Sequence, residues 1–308
     1  MLSRLFLFLK GMAMGAADVV PGVSGGTIAL ITGIYSTLLD SIRRITPEII
    51  SVLRQQGIKA AFLHVNGPFL ITLFAGILTS ILTLARFISW LLEHHPIPLW
   101  SFFFGLIIIS VVHLAKHVAY CSVPNILSLI AGVGFAYLIT VAHPLQLEPT
   151  PINILIGGSI AICAMILPGI SGSFILLLLG LYTPVITAVK QFDVSLLSIF
   201  AIGCIFGLLS FSHLLGWLLK HFKSLTMMFL IGLMIGTLNK VWPWKEVTSW
   251  RTDSSGALVP LTEQNLSPFT YEQVIAQPSQ LGSAILCCIA GILLVLLLEK
   301  LGEKVQSH

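Results

Sequence analysis

The sequence predicts an all-α polytopic membrane protein of two inverted-topology repeats, each a broken helix pair followed by three transmembrane helices. Three observations carry that prediction. Of 308 residues, 56% are apolar and 9% charged, where a soluble domain carries about 25% charged residues. Six runs, 68–92, 99–115, 123–142, 194–219, 225–238 and 281–298, meet or approach the length of about 20 apolar residues that a span needs. Two further apolar regions, 5–39 and 152–189, are each interrupted midway by a Pro-Gly-x-Ser-Gly cluster.

Composition also excludes whole classes. The sixteen Lys and Arg are scattered rather than patched, which argues against a nucleic-acid binder, and the net charge of +4 is what positively charged loops give a membrane protein. The five cysteines, Cys121, Cys163, Cys204, Cys287 and Cys288, form no CxxC pair and are odd in number. They support neither a disulfide framework nor a zinc site. Residues 1–17 are read as part of the fold rather than as a signal peptide, because Lys10 interrupts the apolar run.

The first broken region opens the first repeat, 1–142, and the second opens the second repeat, 152–300. Pro21-Gly22-Val23-Ser24-Gly25-Gly26 aligns with Pro168-Gly169-Ile170-Ser171-Gly172-Ser173, and Gly33 and Tyr35 with Gly180 and Tyr182. In the same register Gly76 aligns with Gly203, Trp90 with Trp217, His94 with His221 and Gly105 with Gly232, with residues 46–65 as an insertion in the first copy. A broken region returns to the side it came from, and three crossings follow it, so the second repeat is inverted. With the N-terminus inside, Arg4, Lys10, Arg43, Arg44, Arg54, Lys59, Lys116, Lys220, Lys223, Lys300 and Lys304 fall in the cytoplasm. Only Lys190, Lys240, Lys245 and Arg251 fall outside, and that asymmetry sets the orientation, with both termini cytoplasmic. The loop 241–278 is the one sizeable extracytoplasmic piece. Trp90, Trp100, Trp217, Trp242 and Trp244 lie near span ends, as interface anchors do.

Paired breaks in inverted repeats point to a transport site. The candidate binding residues are Ser24, Gly25, Gly26 and Thr27 in the first cluster and Ser171, Gly172 and Ser173 in the second. Glycine lets the backbone approach a ligand, the hydroxyls donate, and a helix starting there presents free N–H groups to an anion. The bland alternative is that these residues only break and pack helices. Asp18 lies within an apolar stretch before the first cluster, and its aligned partner is Met165. An intramembrane carboxylate is a protonation or ion-coupling candidate, with a helix cap as the alternative. Arg86 lies inside the span 68–92 and aligns with His213. An Arg there suits a phosphate and a His there changes charge near neutral pH, against snorkelling and a satisfied imidazole as the respective alternatives. His113 and His117 have metal-like spacing but no acidic companion, so no metal site is assigned.

The run from Gly11 to Thr27, with Asp18-Val19-Val20-Pro21-Gly22-Val23-Ser24-Gly25-Gly26 at its centre, resembles the N-terminal signature of the PopT-type polyprenyl-phosphate translocases. Leu167-Pro168-Gly169-Ile170-Ser171-Gly172-Ser173 resembles their second signature, and the similarity extends over the whole chain. The resemblance implies a translocase that returns undecaprenyl phosphate from the outer to the inner leaflet of the bacterial cytoplasmic membrane for carrier-lipid recycling. It implies no cofactor. Its partners are undecaprenyl phosphate, membrane lipid and a coupling proton or sodium ion. Two other classes remain in view. Pro21-Gly22-Val23-Ser24 is similar to part of a motif of membrane undecaprenyl-pyrophosphate phosphatases, but Gly25 and Gly172 stand where that motif has Arg. The acidic pair such hydrolysis uses is also missing, since Glu299 and Glu303 lie in the charged C-terminal end. An anion channel or small-solute symporter fits the inverted repeats as well.

Overall fold

The computed structural model describes residues 2–20, 23–46, 48–116, 118, 122–142, 144–252 and 258–306. Pro21, Gly22, His117 and Cys121 lie outside the described residues. The first broken region forms α1 (Leu2–Val19), α2 (Gly25–Ile31) and α3 (Tyr35–Arg43), and the second forms α8 (Pro151–Ile166), α9 (Gly172–Leu178) and α10 (Tyr182–Gln191). After the first come α4 (Glu48–His64), α5 (Gly67–His94), α6 (Pro96–Lys116) and α7 (Val123–Val141). After the second come α11 (Val194–His221), α12 (Lys223–Val241), a hairpin of β1 (Lys245–Thr252) and β2 (Leu258–Asn265), α13 (Pro268–Ile275) and α14 (Leu281–Gln306).

Among the described residues α5, α6, α7, α11 and α12 are long and apolar enough to cross a membrane. This is an all-α polytopic membrane protein with one small extramembrane sheet. At 28 residues, α5 and α11 each run about 42 Å, more than the roughly 30 Å of a hydrocarbon core. Helices α9 and α10 form a pair bent by 113°. The insertion 46–65 becomes α4, which buries no residue and exposes Ile50, Leu53, Ile58 and Leu63.

The helices pair through close glycine contacts. A Cβ on Gly11 would strike the Leu73 carbonyl, and one on Gly76 the Phe8 carbonyl, so α1 lies backbone to backbone on α5. Gly158 meets the Phe200 carbonyl and Gly203 the Leu155 carbonyl, which are the aligned residues of α8 and α11. Ser159 adds a donor to the Gly203 carbonyl at 2.8 Å. Small residues at such crossings let helices approach where lipid offers no hydrophobic driving force.

The last helices of the two halves are exchanged. Helix α6 packs on α14, with Gly105 against the Cys288 carbonyl and Gly291 against that of Phe102. Helix α7 packs on α12, with Gly132 against the Phe229 carbonyl and Gly232 against that of Leu129. Asn125 donates to Ser224 at 2.7 Å and Asn239 to Thr140 at 3.1 Å, so α7 and α12 run parallel. The main core lies where α1, α2, α6 and α12 converge, around Val20, Val23, Leu73, Ile107, Leu230, Leu233 and Met234.

The described residues of the loop 241–278 form secondary structure that composition did not foretell. Strands β1 and β2 pair antiparallel from Lys245↔Asn265 to Thr252↔Leu258, with an irregular register between Val247 and Trp250. The stretches carry the β-branched residues Val247, Thr248, Val259 and Thr262, which suit a half-exposed pleat. Trp244 is not a lipid-interface anchor. It is buried with Ile97, Tyr271 and Ala284 in a separate small core, and its indole donates to the Ser279 carbonyl at 2.8 Å.

Candidate functional site

The two signature loops meet, although they are far apart in sequence. Ser24 Oγ lies 3.2 Å from both the Met165 and Leu167 carbonyls, and Tyr35 OH donates to the Ile166 carbonyl at 3.0 Å. In return the Gly169 amide donates to Thr27 Oγ1 at 2.8 Å. Gly169 sits at φ +91°, where an L side chain is strained, and a Cβ there would lie 2.6 Å from Thr237 Oγ1. Backbone bent in this way among apolar helices is tolerated where its polar groups find protein partners.

The first loop is sealed. Asp18 Oδ1 accepts from the Gly25 amide at 2.7 Å, and Ser24 Oγ, at the N-cap of α2, accepts from the Gly26 amide at 3.1 Å. The Thr27 amide bonds back to the Ser24 carbonyl at 2.9 Å. The N–H groups expected to receive an anion are thus already occupied, one by a carboxylate of the chain itself. Ser24 and Thr27 are 1% and 0% exposed.

The second loop is built differently. Met165 stands where Asp18 would, and Ser171 makes no side-chain cap bond to α9; instead its hydroxyl pairs with that of Ser173 at 2.8 Å. Ser173 is exposed and Ser171 is 7% exposed. The loop faces a small cleft lined by Thr140, Gly169, Ser171, Phe174, Thr237 and Lys240. A roomier cleft of about 290 Å³ lies apart from both signatures, between Thr183, Thr187, Gln191 and Asp193.

The other predicted residues stay outside this meeting point. Arg86 is exposed on α5, with no hydrogen bond or ion pair among the described residues. His213 is exposed on α11, and its Nδ1 lies 2.8 Å from the Leu209 carbonyl of its own helix. Sequence reading missed Lys240. It counted as one of four outer cations and nothing in its neighbourhood set it apart, because Gly169 and Ser171 reach it only in space.

A model of the undecaprenyl phosphate translocase-like family matches residues 14–259, a stretch that holds both Pro-Gly-x-Ser-Gly clusters. The chain belongs to that family. It is 61% identical over 303 residues to a polyprenyl-phosphate transporter of Vibrio cholerae serotype O1, a match that covers 98% of each chain. It is 34% identical over 253 residues to a polyprenyl-phosphate transporter of Staphylococcus aureus, covering 76% of this chain and 85% of that one. No solved structure matches it.

Proposed function

We propose that this protein moves undecaprenyl phosphate from the outer to the inner leaflet of the bacterial cytoplasmic membrane. One observation carries the reading: the two signatures dock on each other, and Gly169 and Ser171 of the second line a cleft. A phosphate head group crossing hydrocarbon needs such a polar path, while its isoprenoid tail stays in lipid. The names of the two relatives support the same substrate class.

The finer parts of the reading follow. The chain is two repeats, 1–142 and 152–300, related by an inverting pseudo-two-fold axis. The recurrence of glycine contacts at aligned residues and the parallel course of α7 and α12 support it. Both termini face the cytoplasm and the hairpin faces outward. Ser24, Gly25, Gly26 and Thr27 shape the floor of the site, Ser171, Gly172 and Ser173 meet the head group, and Arg86 and His213 are met along the route beyond it. Asp18 is the coupling group, because its carboxylate holds the start of α2 and protonation would weaken that bond.

The halves also differ in closure, as a carrier caught on one side would. Helix α3 packs on α11, with Arg43 against Gly216, whereas α10 has no comparable packing on α5. In the proposed orientation the cytoplasmic side is shut and the outer side open. Exchange of these two contacts would turn the site inward.

A leaflet assay with a short-chain polyprenyl phosphate in proteoliposomes tests the function. Translocation of the phosphate, without hydrolysis of the pyrophosphate and without chloride flux, is the expected result. Pyrophosphate hydrolysis by the pure protein, or chloride flux alone, would replace the reading with one of its alternatives.

A further inference from the structure

Strand β2 delivers a carboxylate to the mouth of the cleft at the second signature. Lys240, on the cleft wall, donates to Glu263 Oε2 at 2.7 Å, and Lys245 reaches the same oxygen at 3.4 Å. Lys245 also donates to the Lys240 carbonyl at 2.6 Å. The strand is held there at a second point. Asn265 donates to the carbonyl and side-chain oxygens of Asn239 at 2.8 and 2.7 Å, and Asn239 donates to Thr140, another cleft residue. Each ammonium also stands over a ring, Lys240 at 5.3 Å from Phe174 and Lys245 at 4.3 Å from Trp100.

The charges at this mouth do not balance. Two ammonium groups share one carboxylate, and the three side chains are only 20%, 8% and 21% exposed for Lys240, Lys245 and Glu263. A carboxylate offers one negative charge. A phosphate monoester offers about −1.5 to −2 near neutral pH, with three strong acceptor oxygens. A phosphate therefore matches the pair of lysines better than Glu263 does, and Ser171, whose hydroxyl is paired among the described residues only with that of Ser173, lines the same cleft.

We infer that Lys240 takes the phosphate of the lipid at the second signature, and that Glu263 is a built-in stand-in which the phosphate displaces on entry. Lys245 is a positioning residue that holds the Lys240 backbone and shares the carboxylate. Displacement of Glu263 removes one of the two ties of β2 to the cleft mouth and leaves that of Asn265 on Asn239, so the hairpin is a strap that loosens when cargo arrives. A singly charged, weakly hydrogen-bonding anion such as chloride gains too little from the two lysines to displace it. The inference rests on the lipid-phosphate reading above.

The test is equilibrium binding to the purified full chain in nanodiscs. The probes are a short-chain polyprenyl monophosphate, the matching polyprenyl alcohol and inorganic phosphate, each as a separate arm. Lys240→Gln should weaken monophosphate binding about tenfold or more, and Lys240→Arg should keep most of it. Glu263→Gln should tighten binding several-fold, because the competitor is gone, whereas a merely structural ion pair predicts loss or no change. The monophosphate should speed amide exchange over residues 258–265 in the wild type, and Glu263→Gln should show that faster exchange without any probe. Inorganic phosphate should do the same only at much higher concentration, and the alcohol should not. If the wild type binds the monophosphate and Lys240→Gln binds it equally well, or Glu263→Gln binds it no more tightly than the wild type, the inference is overturned and the proposed function stands. If the wild type prefers the alcohol or binds neither lipid, the proposed function falls and the inference with it.

Discussion

The two signature loops are near-copies in sequence and opposites in structure. Ser24 and Ser171 align, as do Gly25 and Gly172, and beyond exchanges among aliphatic residues three positions differ: Asp18 against Met165, Gly26 against Ser173, and Thr27 against Phe174. Those three differences explain the contrast. Asp18 closes the start of α2, Gly26 lets that turn lie against the Ile166 carbonyl, and Thr27 receives the Gly169 amide. In the second copy Met165 leaves the turn uncapped by any carboxylate, Ser173 is exposed, and Phe174 faces Lys240. One copy has become the tie that holds the two loops together, and the other has stayed open to the cleft. A shared motif therefore marks where the backbone breaks, and its neighbours decide what the break does.

The comparison breaks most severely at Gly26. A Cβ there would lie 2.6 Å from the Ile166 carbonyl and 3.0 Å from that of Met165, both rigid backbone. Gly26→Ala should cost about 3 kcal/mol or more and reduce the yield of folded protein, read by thermal unfolding in detergent. The aligned Ser173→Ala should shift stability by only about 0.5 kcal/mol and weaken binding of a polyprenyl monophosphate. Equal losses of stability at both positions would show that the two loops do the same job.

Asp18 comes next. Asp18→Ala removes the acceptor of the Gly25 amide and should cost about 1–3 kcal/mol. Asp18→Asn keeps an acceptor and removes the charge, so it should fold normally while transport loses its dependence on pH or on a cation. Wild-type pH behaviour of the Asn variant, measured in the leaflet assay, would leave Asp18 as a cap alone.

Arg86→Gln should lower transport per folded molecule and leave monophosphate binding nearly unchanged, because Arg86 stands outside the docked loops. Unaltered transport by the purified variant would assign Arg86 to the membrane surface.

The smallest effect concerns the strap over the second loop. Burial by itself would raise the Glu263 carboxyl, but Lys245 and Lys240 outweigh it and hold the group below the usual carboxylate range. The stabilisation it brings is present above pH about 4.5 and is lost as pH falls through the depressed value. Burial pushes Lys245 down from the ordinary 10.5 to about 8, against the pull of Glu263 and with the help of Lys240. Between about 8 and 10.5 the unfolded segment binds more protons than the folded one, so hairpin stability should rise with pH there. Amide exchange over 245–252 and 258–265 reads both limbs, and a flat profile would uncouple these groups from strap docking.

By itself the sequence determined the class of protein, the two breaks and five of its six apolar runs as helices long enough to span, with 281–298 falling short among the described residues. Those follow from hydropathy and from the turn chemistry of Pro, Gly and Ser, which act over one helix length and need no knowledge of neighbours. It also drew notice to Ser24 and Thr27, which meet the second loop, but on that side the contacts fall on Met165, Ile166, Leu167 and Gly169, not on Ser171 to Ser173. Only the tertiary structure decided that α6 pairs with α14 and α7 with α12, because several glycine-bearing apolar helices are equally compatible with one another until their carbonyls are brought face to face. Only the tertiary structure decided which loop is sealed, since a carboxylate such as Asp18 reads as a cap or as a free group according to where the Gly25 amide points. Lys240 and Glu263 were invisible for the same reason. Their meaning lies in a distance across the hairpin, and a distance between residues remote in sequence is a property of packing, not of either residue alone.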